Sequence, residues 1–303
     1  MRLPEEIVRE LIDRGDLWNS GPGLCGMKGP LARLRDEVSA TLRGVGCSEG
    51  DEWRMPQGVS FETLERAGYF ASFPQWLTAA SHLSGDGDVL ARVAKSASPG
   101  DAARHALEPA SAALPPAVCY HTYAALQAKR VVTPLIMTAE ETCWRHEGDR
   151  LSPLERGWAF SMREIVCLGA PFEVEEFRLR GMERAARLAG AFGLTAHTEV
   201  ATDPFFAPTA RGRELLQRVK SLKHELLVEY PDGRLLAIAS FNNHERFFGN
   251  AFEITLADGT PASSACVAFG IERWMLAILM VHGIDPDSWP ETSAMRREAQ
   301  WQY

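Results

Sequence analysis

Two β-rich apolar runs, residues 131–138 and 159–168, flank a charged, Gly- and Pro-punctuated stretch, Arg145-His-Glu-Gly-Asp-Arg-Leu-Ser-Pro-Leu-Glu-Arg-Gly157. Two antiparallel strands joined by a long polar loop is the economical reading. Alternate residues of a strand share a face, so Cys143, Arg145 and Glu147 are expected to point one way. Phe160, Met162 and Glu164 share a face on the second strand in the same way. An arginine fork can clamp a phosphate, a glutamate can accept from an exocyclic amine, and a phenylalanine can floor a purine. The outline is a nucleotide pocket, although an exposed hairpin with solvated charges would have the same spacing.

A second segment, Ser263-Ser-Ala-Cys266-Val-Ala-Phe-Gly270-Ile-Glu272-Arg273-Trp-Met-Leu-Ala-Ile-Leu279, leads small residues through a strand to a glycine and then an apolar helix. Arg273 falls in the first helical turn, where a cation opposes the macrodipole, so another partner must favour it. A phosphate is a good candidate; a snorkelling arginine on a buried helix is the bland one.

Upstream, residues 5–14 read as a short helix followed by a glycine-rich turn at 20–26. Pro30 opens an amphipathic helix with Leu31, Leu34, Val38 and Leu42 on one stripe, ending near Gly44 and Gly46. Extended segments are expected at 53–56 and 69–73, and a loop at 81–88. No internal repeat or convincing linker is present, so the reading is an extension, residues 1–30, and one domain, residues 31–303. The length, 303 residues, supports a substantial core. An apolar fraction of 46%, a charged fraction of 24% and a mean hydropathy of -0.16 exclude disorder.

No run approaches the ~18 apolar residues of a membrane span, and acids occupy the start where a signal peptide needs an apolar stretch, so the expectation is a cytoplasmic protein without membrane association. Six scattered cysteines without a C-x2-C pair are no disulfide scaffold, and leave free thiols or long-range ligands. A net charge of -8 argues against non-specific nucleic-acid binding.

Arg145-x-Glu147, the charged loop, and Arg156-Gly-Trp-x-Phe160-x-x-x-Glu164 resemble motif 2 of class II aminoacyl-tRNA synthetases of the seryl type. Gly270-x-Glu-Arg273 resembles their motif 3. The helix at 31–43 with Trp53-Arg-Met-Pro56 resembles motif 1, the dimer-forming helix, strand and proline. More narrowly, Pro116-Ala-Val-Cys119-Tyr, Met162-Arg-Glu164-Ile-Val and Ala265-Cys266-Val-Ala-Phe-Gly-Ile-Glu-Arg273 resemble the amino acid:[carrier protein] ligases, truncated homologues of the atypical, zinc-dependent seryl-tRNA synthetases. The motifs occur in the family's order and span about residues 28–290.

That resemblance implies an α+β fold, a mainly antiparallel sheet flanked by helices, working as a homodimer with ATP on the sheet. It implies Arg145 on the α-phosphate, Glu147 on the adenine amino group, Phe160 on the adenine face and Arg273 on the γ-phosphate, so Arg145 and Arg273 carry the catalysis. Where seryl-type enzymes have Glu-x-x-Ser for Mg2+, this chain has Ala237-Ile-Ala-Ser240, leaving Glu225, Ser240 and Asn242 as substitutes. The resemblance also implies Zn2+ on Cys119, Glu164 and Cys266, three protein ligands with a fourth position open for the α-amino group. Without it, Cys119 and Cys266 read as ordinary buried thiols. Cys25, Cys47, Cys143 and Cys167 stay core or surface thiols.

The expected reaction is ATP-dependent activation of a small amino acid, glycine or alanine, and its transfer to the phosphopantetheine thiol of a carrier protein. Nothing in residues 1–30 supplies the helical arm that a seryl-tRNA synthetase uses, so tRNA is not an expected partner. The stretch 211–223 reads as an inserted basic helix, with Arg211, Arg213, Arg218 and Lys220 suited to docking an acidic helical carrier. The Arg-rich helix at 177–190 competes for that role. The alternatives are tRNA aminoacylation with a separate tRNA-binding subunit, and a non-catalytic paralogue that senses an amino acid or nucleotide.

Overall fold

Strand periodicity is clearest where the apolar run at 159–168 buries both of its faces. Met162, Val166 and Leu168 lie against one layer, Ile165 and Cys167 against the other. A strand buried on both sides belongs at the centre of a sheet with a layer on each face. The structure, a computed structural model, describes residues 1–46, 51–148, 150–206, 217–293 and 295; Cys47 lies outside them.

The chain opens with helix α1 (Pro4–Asp13), a hairpin of β1 (Leu17–Gly21) and β2 (Leu24–Met27), and helix α2 (Gly29–Leu42). A two-residue strand, β3 (Asp51–Glu52), follows. A small sheet of β4 (Val59–Ser60), β5 (Ala79–Ala80) and β6 (Ala112–Ala113) is threaded by the short helices α3 (Phe61–Arg66), α4 (Tyr69–Ser72), α5 (Gly87–Lys95) and α6 (Pro99–Arg104). Helix α7 (Cys119–Ala125) precedes the long hairpin of β7 (Leu135–Trp144) and β8 (Ala159–Gly169). Then come α8 (Pro171–Ala191), β9 (Ala196–Val200), β10 (Lys223–Glu229), β11 (Leu235–Glu245), α9 (Phe247–Ala251), β12 (Ser263–Gly270) and α10 (Ile271–His282).

The main sheet has seven strands in the order β3-β7-β8-β12-β11-β10-β9, with every pair antiparallel except β3 beside β7. Helices α1, α2, α8 and α10 cover one face. Helix α10 is apolar nearly all round, and residues from Trp274 to Met280 are fully buried there, each large side chain contributing about 1.5–3 kcal/mol. Residues 1–30 are packed onto this layer: Ile7, Leu11 and Leu17 join the core, and the Arg2 amide donates to the Met280 carbonyl at 2.9 Å.

The opposite face is covered by α3, α4, α7 and α9. Its seat for α9 depends on Gly249, where an added Cβ would stand 2.0 Å from the Ala262 carbonyl oxygen. Among the described residues no helix is long and apolar enough to cross a membrane.

Three local expectations are corrected. Residues 17–27 form a hairpin rather than a bare turn, since Leu17 and Met27 pair and Leu17 is buried. Tyr69–Ser72 is helical, not extended, because Tyr69 packs inward from a left-handed Gly68 (φ 67°). Strand β7 starts later than 131 and continues through Glu140 and Glu141 to Trp144, so Arg145 and Glu147 lie beyond its end. The acids fit because Glu140 accepts from Arg163 across the strand pair at 2.9 Å and also from Arg35 and Ser39, while Glu141 accepts from the Met55 amide at 2.9 Å.

Candidate active site

Cross-strand register assembles the site. Glu164 opposes Ala268, Ala268 opposes Ser240, and Ser240 opposes Glu225; one rung away, Val166, Cys266, Asn242 and Lys223 line up. Opposed residues share a face, so Glu164, Cys266, Ser240, Asn242 and Glu225 all point into one cavity of about 1060 Å³. Phe160 and Met162 extend that face along β8, and Arg145, Glu147 and Arg273 reach the cavity from loop and helix.

Three donors converge at its deep end. Cys119 is the first residue of α7, and its amide and that of Val118 donate to the two Glu164 oxygens at 3.0 and 3.2 Å. Burial, with Cys266 close by, pushes the Glu164 carboxyl up to about 7. The neighbouring Cys266 thiol and burial push Cys119 up, while Cys119 and the His244 and Asn242 side chains draw Cys266 down against its burial. Asn242 Nδ2 donates to Cys266 Sγ at 3.6 Å, and His244 Nε2 lies 3.9 Å from it. Among the described residues, no group of three His, Cys, Asp or Glu side chains stands in metal-holding geometry. Cys143 is buried in the same layer, while Cys25 lines the outer cavity wall.

At the other end, the Arg145 guanidinium lies 5.3 Å from the Trp76 ring and 5.5 Å from the Phe160 ring, with Nε donating to the Pro116 carbonyl at 2.8 Å. Glu147 accepts from Arg156, so its carboxylate is held within the loop. Arg273 is half-buried, and its partners are carbonyl oxygens: Glu155 at 2.7 Å and Ala237 at 3.0 Å. Burial and the neighbouring Arg156 hold its guanidinium below the ordinary value. Asn242 Nδ2 also donates to Ser240 Oγ at 3.3 Å.

Several site residues carry no signal in the sequence. Trp76, Tyr69 and Phe205 line the cavity from segments without a motif. Asp203 is tied to Lys223 at 2.7 Å and exchanges two hydrogen bonds with Gln217, fastening residues 201–206 to β10. Glu272 also lines the cavity, and both its oxygens accept from the Ser161 amide at 2.9 Å, tying the start of α10 to β8 beside Phe160.

The basic helix expected at 211–223 is shorter than that. Arg211 and Arg213 lie outside the described residues, the helical turn ends at 219, and Lys223 belongs to β10. Lys223 is buried between Asp203 and Glu225, and two acids suit it to a strand whose next face is apolar. Arg218 sits on the turn and Lys220 pairs with Glu245 at 2.8 Å. On α8, Arg178 and Arg184 turn into the core, so only Arg180 and Arg187 face outward, each with an acid one turn earlier.

A seven-stranded, mainly antiparallel sheet with helices on both faces and a cavity bearing motif 2 and motif 3 arginines is the catalytic fold of the class II aminoacyl-tRNA synthetases. M. kandleri SerRS, in a crystal structure with A. aeolicus tRNASec, superposes with a TM-score of 0.85 at 23% identity over 98% of this chain and 60% of that one. A cytoplasmic serine-tRNA ligase from Naegleria fowleri, in complex with AMP, gives 0.71 at 13% identity, over 98% and 59%. This chain therefore spans about three fifths of those proteins. No family model matches it.

In sequence, it is 37% identical over 242 residues to amino acid–[acyl-carrier-protein] ligase 1 of Bradyrhizobium diazoefficiens, covering 78% of this chain and 73% of that protein. It is 34% identical over 274 residues to ligase 2 of the same organism, covering 89% and 81%. Type-2 serine–tRNA ligase of Methanopyrus kandleri is 30% identical over 159 residues, 49% of this chain and 30% of that one. The chain belongs to the amino acid–[acyl-carrier-protein] ligase family and is a ligase of the class II synthetase kind.

Proposed function

We propose that this ligase activates a small amino acid, glycine or alanine, with ATP as the aminoacyl-adenylate and passes it to the phosphopantetheine thiol of an acyl carrier protein. The observation that carries the reading is the single cavity in which Cys119, Glu164 and Cys266 converge at one end and Arg145 and Arg273 approach from the other. The names of the relatives supply the carrier.

The donor types suit zinc, two thiols and a carboxylate buried together; the three side chains would have to close on the ion, since they do not stand in metal-holding geometry in this structure. Cys119, Glu164 and Cys266 would hold Zn2+, which supplies a Lewis-acid anchor for a free α-amino group. Glu225 opposite Ser240, with Asn242 beside them, are the oxygen donors offered to Mg2+ on the nucleotide.

A carboxylate oxygen of the amino acid attacks the α-phosphorus and pyrophosphate leaves with the bonding electron pair. Arg145 meets the charge that grows on the α-phosphoryl oxygens and Arg273 the departing γ-phosphate, stabilising the transition state more than the ground state. Phe160 floors the adenine, and Glu147 accepts from its amino group. The carrier thiol, giving up its proton, then attacks the adenylate carbonyl and AMP leaves. The stretch of sequence that carries Arg211, Arg213, Arg218 and Lys220 supplies positive charge for an acidic carrier. The homodimer belongs to this reading, with α2 and β3 at the subunit boundary.

ATP–pyrophosphate exchange across the twenty amino acids, with and without added zinc, tests the first step. Exchange with glycine or alanine is expected. A holo carrier protein is then expected to gain the residue as a hydroxylamine-labile thioester, and its apo form to stay unmodified. Charging of tRNA without charging of holo carrier, or no exchange with any amino acid, would refute the proposal.

A further inference from the structure

Tyr69 is the first residue of α4, turned inward by the left-handed Gly68, and it lines the cavity while only 1% exposed. Among the described residues its hydroxyl has no hydrogen-bond partner. That is unusual for a buried phenol, since a polar atom taken out of water and left unpaired destabilises the fold unless something else meets it. The ring itself is fixed. Its neighbours are aromatic edges, Tyr120 at 5.9 Å and Phe73 at 6.1 Å, and neither gives the oxygen an acceptor.

The surroundings define the missing acceptor. Burial pushes the phenol up to about 12, against the opposing charge of Arg145, so the group is a neutral O–H donor at any working pH. Tyr120, against which the ring packs, follows Cys119 in the chain. Tyr69 thus packs on the residue next to Cys119, at the thiol end of the cavity, and feels the charge of Arg145; under the proposed reaction these are the sides from which the α-amino group and the α-phosphate would be held. In a small amino acid joined to a nucleotide, the group between amine and α-phosphate is the carboxylate, later the adenylate carbonyl.

We propose that the Tyr69 hydroxyl donates a hydrogen bond to a carboxylate oxygen of the bound amino acid and so helps to hold that substrate in the cavity. This rests on the adenylate-forming reading above. It makes Tyr69 a substrate-contacting residue supplied by a segment outside the three motifs. The contact exists in the ground state as well as the transition state, so it acts mainly on amino-acid binding rather than on the chemical step.

The test compares Tyr69→Phe with the parent in pyrophosphate exchange with glycine and alanine, alongside melting of the ligand-free protein. Loss of one donor to a charged acceptor is expected to raise the amino-acid KM by about 10- to 100-fold. The KM for ATP and kcat should stay within about twofold. The ligand-free variant should melt at or above the parent's temperature, because phenylalanine removes an unpaired buried hydroxyl. A variant that melts lower has lost a structural hydrogen bond, and an unchanged amino-acid KM means no substrate contact; either result overturns the inference while leaving the proposed reaction standing. A raised KM for ATP alone would assign the hydroxyl to the nucleotide and also overturn it. If the parent itself exchanges with no amino acid, both readings fall.

Discussion

Glu164 is a carboxylate with two backbone amides for company and almost no solvent, flanked by two thiols. Such a group is tolerated in a core only when its lone pairs are satisfied or a cation shares the site. Under the zinc reading, the parent should carry about one zinc per chain, and Cys266→Ala should lose it while keeping its fold, since two remaining ligands make a poor site. Elemental analysis of protein purified without chelator checks this, and a full zinc complement in the variant would remove Cys266 from the ligand set. The three donors could be named from the sequence only through family motifs. Their spacing of 45 and 102 positions has no local pattern, and what joins them is the register that puts Cys266 one rung from the partner of Glu164.

At the scale of elements, the segment 201–206 ties two cavity walls together. The Phe206 amide donates to the Ser72 carbonyl at 2.8 Å, Phe205 stacks on Phe73 at 5.1 Å, and Asp203 holds Lys223 on β10. Removing the buried cation with Lys223→Met should cost about 3 kcal/mol at pH 7, because Asp203 and Glu225 are left facing each other. Lys223 holds the Asp203 carboxyl below its usual range against the pull of burial. A depressed carboxyl contributes stability above its unfolded pKa of ~4, and that contribution disappears as pH falls through the lowered value. The gap between parent and variant in denaturant unfolding should therefore narrow from pH 7 toward pH 3; a pH-independent gap would assign the loss to packing. Nothing in the sequence marks residues 201–206, since a short irregular segment owes its place to partners more than a dozen residues away.

At the scale of the molecule, the net charge of -8 coexists with a local concentration of bases around 211–220. Opposite charge at a rim accelerates encounter more than it deepens affinity. Arg213→Glu combined with Arg218→Glu should therefore slow aminoacyl transfer to holo carrier, flatten its dependence on salt, and leave pyrophosphate exchange unaltered. Stopped-flow transfer rates at low and high salt read this out; equal rates in parent and variant would move the docking surface elsewhere.

The sequence by itself determined the central hairpin, the buried helix after Gly270 and the amphipathic helix opened by Pro30. Periodicity and turn residues act over a few positions and leave a local record. It also brought forward Arg145, Phe160 and Arg273 as candidates, each at the end or on the face of one of those elements, and all three line one cavity. Only the tertiary structure decided that Glu140 and Glu141 belong inside a strand, that Tyr69 and Trp76 wall the cavity, and that Lys223 is a buried strand residue rather than part of a docking helix. Each of those outcomes depends on a partner brought from far along the chain, and a charge or a hydroxyl is admitted to an interior only when such a partner is there to receive it.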